Sequence, residues 1–286
     1  MNKKEKKKAG LFFGMMALAF LIGSTLCEYE EHTESVQTVM REAVVHEVNK
    51  INLFGVMDVN PAMISAFTVS GILIVFAIIC RIFVIPHFTA VPGKFQLVLE
   101  TLVGFFDNMA KTNSKRNKFL GAYIFAAGLY IFTGTLFELF GFEAVAENGL
   151  KIPLPAPLAD INGAIMMGVL SYLVIVSGAI AGHGPKGIIE GLKEFSLPVS
   201  LSFRLFGALL SGALVTELVY YYRALNYGLP VLVGLLFTVL HALIQAYVLT
   251  MLTSIFYGRL SDNGKEETDN TTEEMINRTM EEKVNA

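Results

Sequence analysis

Apolar residues in this chain gather into long runs separated by short polar stretches. An α-helix needs about 20 apolar residues to cross the roughly 30 Å hydrocarbon core of a bilayer. Ala62 to Ile85, Phe119 to Phe142 and Ile161 to Ala181 are three such runs. Ile188 to Tyr222 and Leu229 to Tyr257 are longer than a perpendicular crossing requires, so they tilt, bend or lie partly along the membrane. The pattern predicts an all-α polytopic membrane protein with about five transmembrane helices, the last two forming a long tilted hairpin. One stretch differs. In "VPGKFQLVLETLVGFFDNMAK" the apolar residues Phe95, Val98, Leu99, Leu102, Phe105 and Phe106 share one helical face. That spacing predicts an amphipathic helix over about 94–111, lying on the cytoplasmic surface. Glu100 falls on its solvated face.

The two ends read differently again. "MNKKEKKKAGLFFGMMALAFLIGSTLC" has a basic start and an apolar run, the pattern of a signal peptide or signal anchor over 1–27. Cleavage fits between Ser24 and Cys27, and Leu26 is a poor residue before a lipidated cysteine. Residues 28–60 are then an exported N-terminal segment, 61–260 the membrane domain, and 261–286 an acidic cytoplasmic tail. The tail is polar enough to be frayed helix or disorder.

Composition sharpens this picture. The 286 residues are 53% hydrophobic with a mean hydropathy of +0.55, well above a soluble domain. The net charge of −3 hides a segregation: a basic start, an acidic stretch from Glu28 to Glu47, an almost charge-free middle and an acidic tail. Between Arg81 and Lys118 lie Arg81, Lys94, Lys111, Lys115, Arg116 and Lys118. Such a loop is cytoplasmic by the positive-inside rule. This puts the segment before Pro61 outside, in agreement with the signal-like start. Glu143 to Ala159 and Arg223 to Gly228 are then outside, and His183 to Lys193 and the tail from Arg259 inside. There is no tryptophan, so tyrosines such as Tyr220, Tyr221 and Tyr222 supply the interface anchors. Cys27 and Cys80, at the end of one apolar run and inside another, support neither a disulfide framework nor a metal site. A Gly-rich phosphate loop, a metal-ligand cluster and a nucleophile–base pair are all missing. The chain therefore reads as non-catalytic, with no cofactor, no metal and no nucleic-acid partner. The lack of an internal repeat argues against an inverted-repeat transporter.

The chemistry lies in the few polar residues inside apolar runs. Arg204 sits in "SLPVSLSFRLFGALLSGALV", flanked by Leu205 and Phe206 and followed by Gly207, Ser211 and Gly212. A guanidinium stays charged in any protein environment, and at a bilayer centre it costs at least about 2.5–3.5 kcal/mol. The length of apolar sequence on both sides argues against a snorkelling residue at a helix end, and the small residues admit close approach of another helix. Glu217 is about 20 Å further along the same helix. His241 and Gln245 are four apart, on one face of the last helix. Glu217 and His241 are titratable at membrane depth, as a relay requires; pairing as helix-to-helix glue is the alternative. Glu190 and Glu194 lie near the start of the Arg204 helix, either as favourable charges at a helix N-terminus or lining an aqueous mouth. Asp160 and Asn162 open the third span; helix capping accounts for Asp160, and a channel role is secondary. Glu138, in "TLFELFGF", reaches the outer interface.

These residues resemble subunit a of the membrane sector of F-type ATP synthases. "EFSLPVSLSFRLFGALLSGALV" is similar to the family's Arg-Leu-Phe-Gly core, and "QAYVLTMLTSIFY" to its final-helix Gln-Ala-aromatic pattern. "PGKFQLVLE" matches its surface helix and "LADIN" its entry to a span. Together they cover most of Ala62 to Tyr257 in the family's order. The resemblance implies that Arg204 is the essential arginine, Gln245 the final-helix glutamine and Glu190 a family acidic position, with Glu194 and Ser211 as further candidates. It also implies two ion half-channels carrying protons or sodium against a rotating ring of c subunits, b subunits of a peripheral stalk, and a bacterial plasma membrane. The rival class is a secondary transporter or channel with a substrate-binding arginine. Three positions depart from the family. Ala208 stands where an asparagine is usual, Ala213 where a carboxylate is usual, and Thr238 where a His or Glu is frequent. Glu217 and His241 each lie about one turn beyond the last two, so a displaced Glu217–His241 pair is expected in the outer half-channel.

Overall fold

The computed structural model describes residues 15, 35–37, 51–53, 57–114, 118–145, 151–221 and 229–284. The signal-like segment 1–27, most of the exported segment 28–60, Lys115, Arg116, Tyr222 and the loop from Arg223 to Gly228 lie outside them. So do the side chains of Glu217, Tyr220 and residues 262–286.

Two short strands, β1 (Ile51–Leu53) and β2 (Met57–Val59), pair antiparallel and lead into helix α1 (Pro61–Ile79). Asn60 starts α1: its side chain accepts the Ala62 amide at 3.0 Å. Pro61 fits the first turn because its missing N–H would have no helical partner there. The helix passes through a π turn (Cys80–Val84) and a 3-10 turn (Ile85–His87) carrying Pro86. Helix α2 (Lys94–Asn113) is the expected amphipathic helix, with both ends near those expected. Only Phe106, Met109 and Ala110 of α2 are buried; Phe95, Val98 and Phe105 stay exposed. The apolar face is thus wider than the bundle contact, and leaves an apolar strip for lipid. Glu100 is exposed and accepts a hydrogen bond from Gln96 at 2.7 Å.

Helix α3 (Lys118–Phe137) ends in a 3-10 turn (Glu138–Phe140) closed by Gly141 in the left-handed region. A hairpin of β3 (Glu143–Val145) and β4 (Lys151–Pro153) leads to α4 (Ile161–His183). The run from Ile188 to Tyr222, expected to tilt, bend or lie partly along the membrane, is broken into two helices, α5 (Lys186–Lys193) and α6 (Ser196–Tyr221). Pro198 explains the break: in a continuous helix its ring would strike the carbonyl of Glu194, four residues back, and Glu194 leaves helical geometry. Helix α7 (Leu229–Val284) runs on through the polar tail. The tail has no proline and is rich in Glu, a good helix former.

Among the described residues, five helices are long and apolar enough to cross a membrane: Pro61–His87, Phe119–Phe140, Ile161–His183, Ser196–Thr216 and Val231–Ser261. Their core joins Ile131 of α3, Met167 of α4, Leu201 and Leu205 of α6 and Leu249 of α7. A second cluster sets Phe106 and Met109 of α2 against Ile124 and Tyr257. Several buried hydroxyls bond across helices or to their own backbone, and Tyr123 bonds to Ser171 at 2.8 Å. Helix α1 lies to one side, against α3, with most of its surface exposed.

Candidate functional site

Leu201 and Leu205, one turn apart, point into the core, so Phe203, Arg204 and Gly207 point out. Arg204 is therefore exposed on the face of the bundle. It lies about 12 Å along the axis from the start of the Ser196–Thr216 span and about 18 Å from its end. Among the described residues no carboxylate lies within ion-pair distance of it. A permanent cation thus stands in the middle of an apolar span, with no partner within the described chain.

Gln245 takes the opposite position. It is 8% exposed, beside Ala246 and Leu249 on the packed face of α7, and its Oε1 is buried without a hydrogen-bond partner. No hydrogen bond joins it to Arg204 among the described residues.

Further along α6 a cavity of about 160 Å³ opens between α3, α6 and α7. Ala208, Ala213 and Thr216 of α6 line it, with Thr238 and His241 of α7 and Glu138 at the end of α3. His241 is held in place: its Nδ1 lies 2.8 Å from the Phe237 carbonyl oxygen and its ring stacks on Phe237 at 5.8 Å. A carbonyl only accepts, so Nδ1 carries the hydrogen, and in the neutral ring Nε2 is the acceptor. No ion pair joins Glu138 to His241 among the described residues; the cavity stands between them and has room for water. The expected Glu217–His241 pair rests on a side chain outside those described, although Thr216, its neighbour, lines this cavity.

At the other end of α6 the charged groups are paired. His183 Nε2 lies 3.4 Å from Glu190 Oε2, and Arg259 Nη1 lies 3.8 Å from Glu194 Oε1. Gly184, at φ 63°, turns the chain from α4 into α5 and sets His183 against Glu190. Glu190 belongs to α5 and Glu194 caps it, so neither sits in the first turn of the Arg204 helix. The secondary candidates are peripheral. Asp160 occupies the N-cap of α4 but makes no capping hydrogen bond, which corrects the capping expectation. Asn162 is exposed. The Ser211 hydroxyl is satisfied by the Ala208 carbonyl at 2.8 Å.

A family model described as ATP synthase A chain matches residues 63–258. The chain belongs to the ATP synthase A chain family. Membership ties it to ATP synthesis and ion transport in the membrane sector of a rotary synthase, and favours that over a free-standing secondary transporter. The chain is 26% identical over 199 residues to ATP synthase subunit a of Shewanella piezotolerans, covering 59% of this chain and 75% of the relative. It is 26% identical over 243 residues to that of Buchnera aphidicola, covering 74% and 86%. It is 27% identical over 188 residues to "ATP synthase subunit a, sodium ion specific" of Propionigenium modestum, covering 58% and 63%. Against the family pattern, the departures Ala208, Ala213 and Thr238 all line the one cavity that Glu138 and His241 share. Sequence reasoning did not select Glu138 or His183 as site residues. For Glu138 the signal was available, since an acid inside an apolar run is a site by default. For His183 none was, because its partner lies across a turn.

Proposed function

We propose that this chain is the non-catalytic, ion-translocating stator subunit of an F-type ATP synthase, carrying two half-channels against a rotating c-ring. The observation that carries the reading is Arg204: exposed, mid-span and without a carboxylate partner among the described residues. Its partner then comes from outside the chain, as the membrane carboxylate of each passing ring subunit. A nearby cation favours the ionised carboxylate, so Arg204 strips each ring site of its ion. The same cation repels ions and blocks a direct leak between the half-channels. An ion enters one half-channel, rides the ring and leaves by the other, drawing on about 2.3 kcal/mol per charge per 100 mV.

In this reading the cavity at His241, with Glu217 nearby, belongs to the outer half-channel, and Glu190 and Glu194 to the inner one. Gln245 braces α7 beside the arginine helix; Asp160, Asn162 and Ser211 are minor lining groups. The basic residues between Arg81 and Lys118 put that loop in the cytoplasm. The N-terminal segment is then outside and the tail inside, in a bacterial plasma membrane. The b subunits of a peripheral stalk hold the chain still. The ion is a proton or sodium, the second being named for the Propionigenium relative.

The test is ATP-driven ion uptake into vesicles holding the assembled complex, with and without sodium. Arg204→Ala abolishes uptake while the complex still assembles. Unchanged uptake would sink the mechanism and return Arg204 to a snorkelling or packing role.

A further inference from the structure

We propose that Glu138 is the working carboxylate of the outer half-channel, supplying from α3 the acid that α6 lacks at Ala213. The inference rests on the half-channel reading above. Ala213 and Glu138 line the same cavity from opposite helices, so an acid on either reaches the same space. Glu138 is the one acid among the described lining residues. It is also well anchored. It opens the 3-10 turn that ends α3, and its carbonyl accepts the Gly141 amide at 3.2 Å.

His241 lines the same cavity, and with its Nδ1–H bonded to the Phe237 carbonyl the neutral ring has Nε2 as its acceptor. A carboxylate and a neutral imidazole across a water-sized space form a two-station path for a monovalent cation. A proton binds the carboxylate oxygen and then moves through water to Nε2; sodium is coordinated by the carboxylate while the imidazole nitrogen donates its lone pair. The cavity lies further along the helix that carries Arg204. Gly212, level with His241, leaves ordinary contact distance there: a Cβ on it would lie 3.8 Å from Nδ1. Eight residues separate Gly212 from Arg204, about 12 Å of helix.

The test is ATP-driven uptake in vesicles of the assembled complex, with Arg204→Ala alongside. Glu138→Gln, nearly isosteric, lowers uptake about tenfold or more, and Glu138→Asp retains part of it. Adding Ala213→Glu to Glu138→Gln restores uptake, an outcome that a packing role for Glu138 does not produce. Unchanged uptake in Glu138→Gln, or loss without rescue by either acid, overturns the proposal. If Arg204→Ala is inactive while Glu138→Gln pumps normally, only this inference falls; if Arg204→Ala also pumps, the half-channel reading falls with it. Should Glu138→Gln fail to assemble, Glu138→Cys in a Cys27→Ser, Cys80→Ser background gives a second measure. A membrane-impermeant thiol reagent presented at the outer face of the membrane, in intact cells, labels it; no labelling overturns the proposal.

Discussion

The two ends of the Arg204 helix handle charge in opposite ways. At the Glu138 end an acid and a histidine line one cavity without touching, and small residues leave the space open. At the Glu190 end each acid already has a basic partner, His183 for Glu190 and Arg259 for Glu194. The packing follows the charges. Gly178 meets the Tyr257 ring, Gly182 the Ser261 backbone and Gly258 the Asn113 carbonyl, all too closely to admit a Cβ. Gly207 and Gly234 have nothing within 4 Å of a built Cβ. One end is thus a close-packed joint between α2, α4 and α7, and the other an open cavity, a passage in the proposed half-channel reading. A rotor needs a stator that is rigid where torque is resisted and open where ions enter.

The largest effect that tests this contrast is a methyl group placed at each end. Gly258→Ala forces the backbone of α2 away from α7 and destabilises by about 1–3 kcal/mol. Gly212→Ala meets only ordinary contact and gains up to about 1 kcal/mol from helix propensity. Thermal denaturation of the purified complex measures both. Equal and opposite-to-expected shifts, or no difference, would break the distinction between joint and passage.

How much of this was legible beforehand depends on range. The five spans, α2 and Arg204 follow from local pattern, because apolar length and the cost of a buried cation act within one segment. The break before α6 was present in the chain as Pro198 but is hidden by the continuity of apolar residues. The cavity was not legible. It depends on α3 stopping at the level of His241, where Glu138 meets residues of two helices that lie 70 or more positions further along the chain. The displaced Glu217–His241 pair was inferred by sliding residues along helices already in view. A substitute from a third helix has no such signature. The His183–Glu190 contact depends on a turn at Gly184 whose geometry no periodicity reports.

A smaller effect separates the ends by redundancy. Glu190 and Glu194 lie one turn apart on the same short stretch, so either acid serves when the other is neutralised. Glu190→Gln alone costs about 0.5–1 kcal/mol of barrier, a two- to fivefold loss of uptake, and Glu190→Gln with Glu194→Gln costs much more. If the single variant matches the double, the inner acids are not interchangeable and the contrast with Glu138 disappears.

The smallest effect belongs to Arg259. Its side chain is 59% exposed and its contact with Glu194, at 3.8 Å, is long for an ion pair. Such exposed pairs contribute about 0–1 kcal/mol, and salt screens them. Arg259→Ala therefore changes stability by less than about 1 kcal/mol, and raising ionic strength narrows even that difference. The joint at this end is held by glycine contacts and core packing, with charge pairing a minor addition. A larger, salt-sensitive loss in thermal denaturation would reverse that order, making electrostatics the lock and the close backbone approach its consequence.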